Sequence, residues 1–470
     1  MNFLCRHIPH LVLVLLLFGC AMPPAHTSSA RFIEPASKAT AKLSIYLAPV
    51  GDCPGNPSLQ LDSIELFDGE SWLRLVDGPV SYEYQQLKGR QVLLAFIALP
   101  PGEYRKARLH VSGLEQGTGS VSSQGVTLTL PISRNLSLTD KDSKCLFLDW
   151  HLGDCYAPAS GDVPRLSLRG QASSVSGENV YIVADKIRTL YIASGDRHFI
   201  TSAIGFPGQL KDVRYDRARN RVYLLSQRPH SIYVLDGASY KVVDRVSLSS
   251  LIGPAHLELS ADGRFAFVTD SAAGRLVKVD LQRRAVVEDS VLGVAPGEIL
   301  YIEDEGRQQL AISSKFSQQV YLVNPETLAV TAVLPVDISP SGLLFNSERL
   351  YVCDTDSNAI LVFDLRKRTL IRRINVALAP VSLVDDEHER IFAGHAEDNS
   401  LSVIAPQQFA VQRRIRLDAP TADLAYFQSR QILYVAHRDS GRISVVDVSA
   451  EKKIAEMNVG AAPVVVVIQQ

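Results

Sequence analysis

From Gly177 onward the sequence repeats with a period of about 41 to 44 residues, and this repeat constrains the fold more than any other feature. In each repeat a polar residue precedes a short apolar strand, as in Arg221-Val222-Tyr223-Leu224 and Arg349-Leu350-Tyr351-Val352. A polar turn follows, and then a second strand that ends near aspartate or asparagine, as in Ile360-Leu361-Val362-Phe363-Asp364. Repeats of this length, built from short strands, are typical of propeller blades. The sequence therefore predicts a β-propeller over residues 177–470.

The number of blades follows from the innermost strand of each repeat. These strands are predicted at 209–216, 255–260, 297–303, 341–346, 381–386, 422–428 and 463–469. The repeat region opens with three strands that lack an innermost partner and closes with an innermost strand that lacks the other three. The two ends must complete one blade together, which also hides edge strands that an open array would expose. We therefore predict seven blades, with 463–469 pairing beside 180–184.

Two of the repeats contain runs close to Tyr-Val-Thr-Asn. They are Leu350-Tyr351-Val352-Cys353-Asp354 and Leu433-Tyr434-Val435-Ala436-His437. The repeats resemble the propeller repeat that is named after that motif, over nearly all of 177–470. The resemblance implies the fold and leaves the function broad, because such propellers serve as binding platforms, assembly scaffolds and occasional enzymes.

Residues 42–170 carry several short alternating runs that turn clusters separate. The runs lie at 42–47, 61–67, 72–75, 92–98, 104–111 and 126–131, and no helical period of useful length appears. This pattern predicts a small antiparallel β-sandwich. The stretches at 61–66 and 99–109 resemble an uncharacterised domain of bacterial surface lipoproteins with a prealbumin-like sandwich, a family without known chemistry to transfer.

The N-terminus reads as a processing signal. Arg6 precedes an apolar run at 11–18 that is too short to span a bilayer. The run ends in Leu17-Phe18-Gly19-Cys20, which resembles the lipobox of bacterial lipoproteins. The resemblance implies cleavage after residue 19, acylation of Cys20 and, with Ala21 next, release to the outer membrane, facing the periplasm or the surface. Residues 20–41 are rich in Ala, Pro, Ser and Thr, which predicts a tether.

Four cysteines remain once the signal is removed and Cys20 is acylated: Cys53, Cys145, Cys155 and Cys353. An oxidising compartment permits disulfides, and four cysteines allow three pairings. A strand at 146–152 would hold Cys145 and Cys155 about 30 Å apart, whereas a disulfide needs Cα atoms within about 7 Å. If that strand runs parallel to the one at 42–47, Cys53 and Cys155 meet. We therefore predict Cys53–Cys155 and a buried, reduced Cys353. The spacing supports no zinc, haem or redox motif.

Two groups of side chains are candidate binding residues. Asp354, His395 and His437 occupy the same position, after the second strand, on three adjacent blades, which suggests a metal ligand set. The alternative is that each side chain hydrogen-bonds its own turn, and we favour it. His256 and Glu298 follow proline turns of neighbouring blades near the channel mouth and could form an acid–base or metal pair. Because Gly342 and Ser382 offer no third ligand there, we favour a solvated channel lining.

Composition narrows the function further. The net charge of −2 and the apolar fraction of 46% exclude a disordered acidic chain and provide no basic stripe for nucleic acid. We predict a non-enzymatic lipoprotein that binds a protein or an envelope polymer, with no catalytic residue, metal or cofactor. The alternative is a quinoprotein-like or lactonase-like propeller with a metal or substrate site at the channel mouth. The sequence leaves the identity of the partner and the oligomeric state open.

Overall fold

The structure of the protein is a computed structural model that describes residues 39–116, 119–121, 125–152, 165–172, 177–386, 389–460 and 462–470. The predicted signal segment 1–19, Cys20, most of the tether and Cys155 lie outside these ranges. The described residues are almost all strand and turn, as predicted. Within them, no helix has the length and apolar character that crossing a membrane requires.

The first domain contains nine strands and one helical turn. They are β1 (Ala41–Val50), β2 (Ser58–Phe67), β3 (Trp72–Glu83), α1 (Tyr84–Leu87), β4 (Val92–Leu99), β5 (Gly102–Gln116), β6 (Gly119–Val121), β7 (Val126–Leu138), β8 (Ser143–His151) and β9 (Leu166–Gly170). The strands form one sheet in the order β3-β2-β5-β7-β9-β8-β1-β4, with β6 beside β5. The sheet curls into a nearly closed sandwich whose halves share one apolar core, which includes Leu43, Ile64, Leu109 and Trp150.

The sandwich is mostly antiparallel, as predicted, but two of its strand pairs are parallel. β1 pairs with β8 in parallel, from Lys42 opposite Ser143 to Val50 opposite His151. β7 and β9 also pair in parallel. β8 follows β2–β7 in the chain and joins the sheet beside β1, where both strands run in the same direction. The expected parallel pairing of the strands at 42–47 and 146–152 is therefore confirmed.

The remaining strands form seven four-stranded blades. They are, blade by blade, β10 (Asn179–Ala184), β11 (Thr189–Ser194) and β12 (Phe199–Gly205) in blade 1; β13 (Gln209–Asp216), β14 (Arg221–Gln227), β15 (Ser231–Asp236) and β16 (Val242–Ser247) in blade 2; β17 (Pro254–Leu259), β18 (Phe265–Asp270), β19 (Arg275–Asp280) and β20 (Ala285–Val291) in blade 3; β21 (Pro296–Asp304), β22 (Arg307–Ser314), β23 (Gln319–Val323) and β24 (Val330–Pro335) in blade 4; β25 (Pro340–Asn346), β26 (Arg349–Asp354), β27 (Ala359–Asp364) and β28 (Thr369–Asn375) in blade 5; β29 (Pro380–Asp385), β30 (Ile391–His395), β31 (Ser400–Ala405) and β32 (Ala410–Arg416) in blade 6; β33 (Asp423–Phe427), β34 (Ile432–His437), β35 (Arg442–Asp447) and β36 (Lys452–Asn458) in blade 7; and β37 (Pro463–Ile468). Short 3-10 turns lie at Thr355–Ser357 and Gln428–Arg430.

Blade 1 is completed by the C-terminal strand, as predicted. β37 pairs antiparallel with β10, with Val180 opposite Ile468 and Val183 opposite Val465. The innermost strands β13, β17, β21, β25, β29, β33 and β37 lie side by side in a closed ring. The seven-bladed propeller and its closure through the last strand are therefore confirmed.

Burial within a blade explains why the repeats read as they do. All six residues of the second strand β10 and of the third strand β31 are buried, because neighbouring blades cover both faces. The outermost strand β28 is exposed at every residue except Ile374 and carries Arg372 and Arg373. Charged side chains on such an edge oppose pairing with other chains.

The sandwich and the propeller share a second apolar core where the ring closes. It joins Tyr46, Phe96 and Phe147 of the sandwich to side chains of blades 1 and 7, including Val180 and Tyr434. Hydrogen bonds tie the same faces together, namely Ser44 Oγ to Tyr191 Oη (2.9 Å), Ser143 Oγ to Thr189 Oγ1 (2.8 Å) and Tyr46 Oη to Asn458 O (3.0 Å). The sandwich therefore packs as a brace against the first and last blades.

Cys53, Cys145 and Cys353 are all buried, and burial raises the pKa of the Cys145 and Cys353 thiols well above the ordinary value. No disulfide joins any two of Cys53, Cys145 and Cys353. The parallel pairing brings the end of β1 beside the end of β8, where Leu152 N donates to Val50 O (2.9 Å). Pairing of Cys53 with Cys155 stays a prediction, because Cys155 lies outside the described residues.

Candidate functional site

One face of the propeller brings the predicted site residues together. The loops that enter the innermost strands and the turns that follow the second strands form the same rim, for example 249–253 and 271–274 in blade 3. We call this face the upper rim. The innermost strands begin at the upper rim and run down the central channel.

Asp354, His395 and His437 end the second strands of blades 5, 6 and 7 and are buried. Asp354 Oδ1 accepts the backbone N–H of Ser339 (2.7 Å) from the loop that enters its own blade. His437 Nδ1 lies 2.8 Å from Pro420 O and therefore donates to this carbonyl, while its Nε2 contacts Ser444 Oγ (2.8 Å). His395 Nε2 contacts Ser402 Oγ (2.9 Å). These side chains thus hold their own blades and loops together.

The equivalent residues of blades 3 and 4 act in the same way. Asp270 accepts the backbone N–H groups of Ile252 (2.9 Å) and Gly253 (2.8 Å), and Ser314 Oγ donates to Val294 O (2.8 Å). Burial lowers the pKa of His395 to about 4 and also lowers the pKa of His437, so both imidazoles are neutral at pH 7. Over the ranges described above, no three His, Cys, Asp or Glu side chains are placed to share a metal ion.

One residue near the start of each innermost strand lines the channel mouth, and we call these seven residues the upper ring. In six blades a register shift near the start of the innermost strand leaves a residue there without a partner on the second strand. The innermost strand of blade 7 has no such shift, and Ala422 is its residue at the corresponding position. The members of the upper ring are all half-buried: Lys211, Ala255, Gly297, Ser341, Val381, Ala422 and Val464. Lys211 is its one charged member. β-Bulges of this kind re-aim side chains next to functional sites.

A second ring lies one residue further down each strand. Its members are Asp212, His256, Glu298, Gly342, Ser382, Asp423 and Val465. Four of them can carry charge, and three of these belong to the consecutive blades 2, 3 and 4. Charge is therefore concentrated on blades 2 to 4, and Asp423 of blade 7 is the fourth titratable member.

Two carboxylates of this lower ring join neighbouring blades. Asp212 Oδ2 accepts the backbone N–H of Leu257 (2.9 Å), and Asp423 Oδ2 accepts that of Val466 (3.0 Å). Ser382 Oγ also donates to Asp423 Oδ1 (3.0 Å). The innermost strand of a blade has backbone N–H groups on the channel side that no other strand pairs with. Each of these two carboxylates accepts a hydrogen bond from one such group. Both aspartates therefore stabilise the ring, one of them at the seam between blades 7 and 1.

Further down the channel, a buried ion pair accompanies Asp212. Arg214 donates through Nη1 to Asp212 Oδ1 (2.6 Å) and through Nε to Glu258 Oε2 (3.2 Å). Although burial opposes ionisation, Arg214 and His256 hold the pKa of Asp212 below its ordinary value. Burial raises the pKa of Glu258 in spite of Arg214. The guanidinium thus neutralises two carboxylates from adjacent blades.

His256 and Glu298, which the sequence paired, face the same stretch of channel. His256 Nδ1 lies 3.7 Å from Asp212 Oδ2. Burial disfavours the imidazolium, but Asp212 and Glu298 outweigh burial and raise the pKa of His256. Burial raises the pKa of Glu298 to about 7, and the neighbouring charges of His256 and Asp423 act on it in opposite directions. Burial also raises the pKa of Asp423 to about 6. The lower ring can therefore take up protons near neutral pH.

Sequence reasoning found His256 and Glu298 but missed Asp212, Arg214, Glu258 and Asp423. It located the ring two residues after the proline that begins each innermost strand, as in Pro254 and Pro296. β13 begins with Gln209 and β33 with Asp423, so this rule fails in blades 2 and 7. A common register relates these residues, since Asp212 lies opposite Leu225, the residue before Ser226, just as His256 lies opposite Thr269, the residue before Asp270.

Glu298→Gln is expected to remove part of the pH dependence of folding. The unfolded state ionises near pH 4.5 and the folded state near pH 7, so the free energy of unfolding falls as the pH rises through that window. Glutamine mimics the protonated side chain. The variant should match the wild type at pH 4 and exceed its free energy of unfolding at pH 8 by about 1–3 kcal/mol.

Urea unfolding between about pH 4 and pH 8 measures this difference. Glu303→Gln, at the exposed end of the same strand, is the matched control and should follow the wild type. If the wild type and Glu298→Gln keep a constant difference at every pH, Glu298 is ionised normally in the folded protein.

The upper rim also exposes large apolar side chains on blades 3 to 6. They are Ile252 (67% exposed), Val294 (60%), Phe316 (70%), Ile338 (44%) and Leu378 (50%). Phe316 lies in the turn after β22, and the other four lie in the loops that enter blades 3, 4, 5 and 6. We call these five residues the apolar rim. Sequence reasoning missed it, although each of these four loops carries its apolar residue just before the innermost strand begins.

The fold and these surfaces define a seven-bladed propeller protein with a braced ring closure. No protein-family model matches the sequence, and no curated protein matches it. Solved structures with a similar fold include dihydro-heme d1 dehydrogenase NirN in complex with DHE, at 15% identity and a TM-score of 0.48, over 61% of this chain and 73% of that chain. Another is hydrazine synthase of Kuenenia stuttgartiensis, at 15% identity and a TM-score of 0.45, over 52% of this chain and 77% of that chain. Such values say nothing about what this chain binds or does.

Proposed function

We propose that this protein is a lipoprotein of the bacterial cell envelope whose propeller binds a protein partner and catalyses no reaction. The apolar rim is the observation that carries this proposal. Soluble proteins rarely expose several large apolar side chains together unless the surface binds something. Here five of them lie on one face of four consecutive blades. Asp354, His395 and His437, in contrast, are buried and engaged in hydrogen bonds within their own blades.

The charges beside the apolar rim favour a particular kind of partner. Asp356 and Glu397 are exposed in the turns of blades 5 and 6, next to the loops that carry Ile338 and Leu378. Asp337, in the loop of Ile338, is half-exposed and pairs with Arg373, whereas Lys315, next to Phe316, is exposed, so the acidic edge of the apolar rim lies on blades 5 and 6. We therefore propose a protein segment that alternates apolar residues with lysine or arginine. Opposite charges at the edge of an interface favour association and specificity.

A substitution in the centre of the apolar rim should weaken the complex. Phe316→Asp is expected to reduce affinity for the partner at least about tenfold. The reason is that the complex loses an aromatic side chain that the partner covers, and an unpaired charge enters the interface. Phe316→Leu, which keeps an apolar surface, should lose much less. The partner is first captured with a photo-crosslinking residue at position 316, and the same residue at position 283 on the opposite rim is the control. Binding of purified partner to each variant then tests the surface, and equal affinity for Phe316→Asp and the wild type would contradict it.

The anchor rests on the run that ends in Gly19-Cys20. Several acyl chains on one residue hold a protein at a membrane far more firmly than a single chain does. Cys20→Ser is therefore expected to abolish incorporation of labelled fatty acid and to move the protein from the membrane fraction to the soluble fraction. Cys5→Ser, within the segment that processing removes, is the control and should keep both properties. Unchanged labelling of Cys20→Ser would rule out this anchor.

A propeller enzyme is the second candidate. Glu298 and His256 favour it, since a carboxyl group with a pKa of about 7 beside an imidazole suits proton transfer. Elemental analysis and the absorption spectrum of the purified protein distinguish the two candidates. A stoichiometric metal ion or chromophore would favour the enzyme over the binding platform.

A further inference from the structure

Three cationic side chains converge on the upper rim where blades 7, 1 and 2 meet. Arg438 Nη2 of blade 7 lies 3.3 Å and Lys211 Nζ of blade 2 lies 3.9 Å from the same oxygen, Oδ2 of Asp185 in blade 1. Gln209 Nε2 also donates to this oxygen (3.3 Å). Arg228, in the turn of blade 2, is close enough to Lys211 to affect its charge. We call Lys211, Arg228 and Arg438 the basic cluster.

The basic cluster carries more positive charge than the carboxylate that it contacts can neutralise. It holds three cations against one carboxylate, a formal excess of +2. Burial lowers the pKa of Lys211, Asp185 opposes this, and Arg438 and Arg228 lower it further. Lys186 and Arg188, exposed in the turn of Asp185, add positive charge, and the exposed Asp439 beside Arg438 offsets part of it. The site as built is therefore suited to an additional anion.

No other blade places a charged side chain at the position of Lys211. Lys211 is the unpaired residue between Leu210 and Asp212, where the register of β13 shifts. The corresponding residues of the other six blades are small or apolar. Lys211 is thus the one cation that the upper ring presents to the channel mouth.

The turn that carries Arg228 also differs from its counterparts. In blades 1, 3, 4, 5 and 7 the left-handed residue of this turn stands in its last position, at Arg188, Gly274, Gln318, Asn358 and Gly441. In blade 2 it moves to Arg228 itself, with a φ of 54°. Arg228 therefore begins its turn in a different backbone conformation from the first turn residues of those blades.

We propose that the basic cluster binds a phosphate group at the mouth of the propeller channel. A phosphate group carries between one and two negative charges at neutral pH and so offsets most of the formal excess of charge, and arginine and lysine are the side chains that recognise it. The group can come from free phosphate or from the phosphate of a larger polyol or headgroup. The site lies on blades 7, 1 and 2, away from the apolar rim, and does not depend on the proposed protein partner.

Calorimetric titration of the purified protein with inorganic phosphate at low ionic strength tests the site. Arg438→Gln and Lys211→Gln should each weaken binding about tenfold, because each removes a charge-assisted hydrogen bond. Arg438 is half-exposed, so its variant should keep the wild-type melting temperature. Arg283→Gln, an exposed arginine on the opposite rim, is the matched control and should bind like the wild type.

Asp185→Asn separates a binding site from a purely structural ion cluster. Loss of the internal carboxylate leaves the cations without their competitor, so phosphate should bind several-fold more tightly. A second titration with glycerol 3-phosphate identifies the source, since tighter binding than inorganic phosphate indicates a phosphate on a larger molecule. The proposal is overturned if wild-type protein shows no saturable binding up to about 10 mM phosphate. Weaker binding by Asp185→Asn, or equal losses in Arg283→Gln and Arg438→Gln, would also overturn it.

Discussion

Removal of residues 463–470 is expected to abolish the cooperative unfolding of the propeller. β37 is the innermost strand of blade 1 and buries Val466 and Ile468. Gln469 accepts a hydrogen bond from Asn179 Nδ2 (2.7 Å), and Asp423 accepts the backbone N–H of Val466 (3.0 Å). Each buried aliphatic side chain contributes about 1.5–3 kcal/mol. Loss of the strand therefore removes an amount comparable with the whole stability of a domain.

The truncated chain should also aggregate, because β10 and the flanking blades lose their neighbour and an innermost edge becomes exposed. Calorimetry and sedimentation of the full-length and truncated proteins measure both effects. Deletion of Gln470 alone is the control and should leave the melting temperature unchanged within a few degrees. A truncated protein that melts and stays soluble like the full-length chain would show that the ring does not depend on this strand.

The propeller was predictable because the strands and turns of each blade can be recognised within a single repeat. The second and third strands of a blade are covered on both faces and read as continuous apolar runs, while turns and charged outer strands separate them. Seven such units differ little in length, so the incomplete first and last units identified the closure. The sandwich strands at 42–47 and 146–152 were found for a related reason, since alternation over a few residues is a local property.

The lower ring was only partly predictable, because its composition depends on register. A position in the channel is fixed by the residue that it faces on the second strand, and bulges shift this pairing in six blades. Asp212 and Asp423 therefore escaped a search that counted from prolines. The basic cluster has a similar origin, because Arg438 of blade 7 meets Asp185 and Lys211 of blades 1 and 2 only after the ring closes.

The packing of the sandwich against the propeller was not predicted, although the sequence of β8 indicates it. Leu146, Leu148 and Trp150 point to the core of the sandwich, while Cys145 and Phe147 on the other face point to the propeller. A strand with one face in water would alternate with polar residues. Burial of both faces indicates a second packing partner, but its identity follows only from long-range structure. Gly205 of blade 1 comes so close to the sandwich that a Cβ there would clash with the carbonyl of Lys141.

Phe147→Ala is therefore expected to uncouple the two domains. Phe147 is buried, stacks on Tyr46 with ring centroids 5.9 Å apart, and contacts the guanidinium of Arg169. Truncation of a buried phenylalanine costs about 3–5 kcal/mol. Because its neighbours include side chains of blades 1 and 7, this loss falls on the contact between sandwich and propeller.

The two tryptophans, Trp72 and Trp150, both lie in the sandwich, so fluorescence reports its unfolding, whereas far-ultraviolet circular dichroism reports mainly the propeller. The two signals should change together in the wild type, as two-state unfolding requires, and separately in Phe147→Ala. Phe316→Ala, at a residue that is 70% exposed, is the control and should change the free energy of unfolding by less than about 0.5 kcal/mol. Coincident transitions in Phe147→Ala, with a loss no larger than that of the control, would mean that the shared core does not hold the domains together.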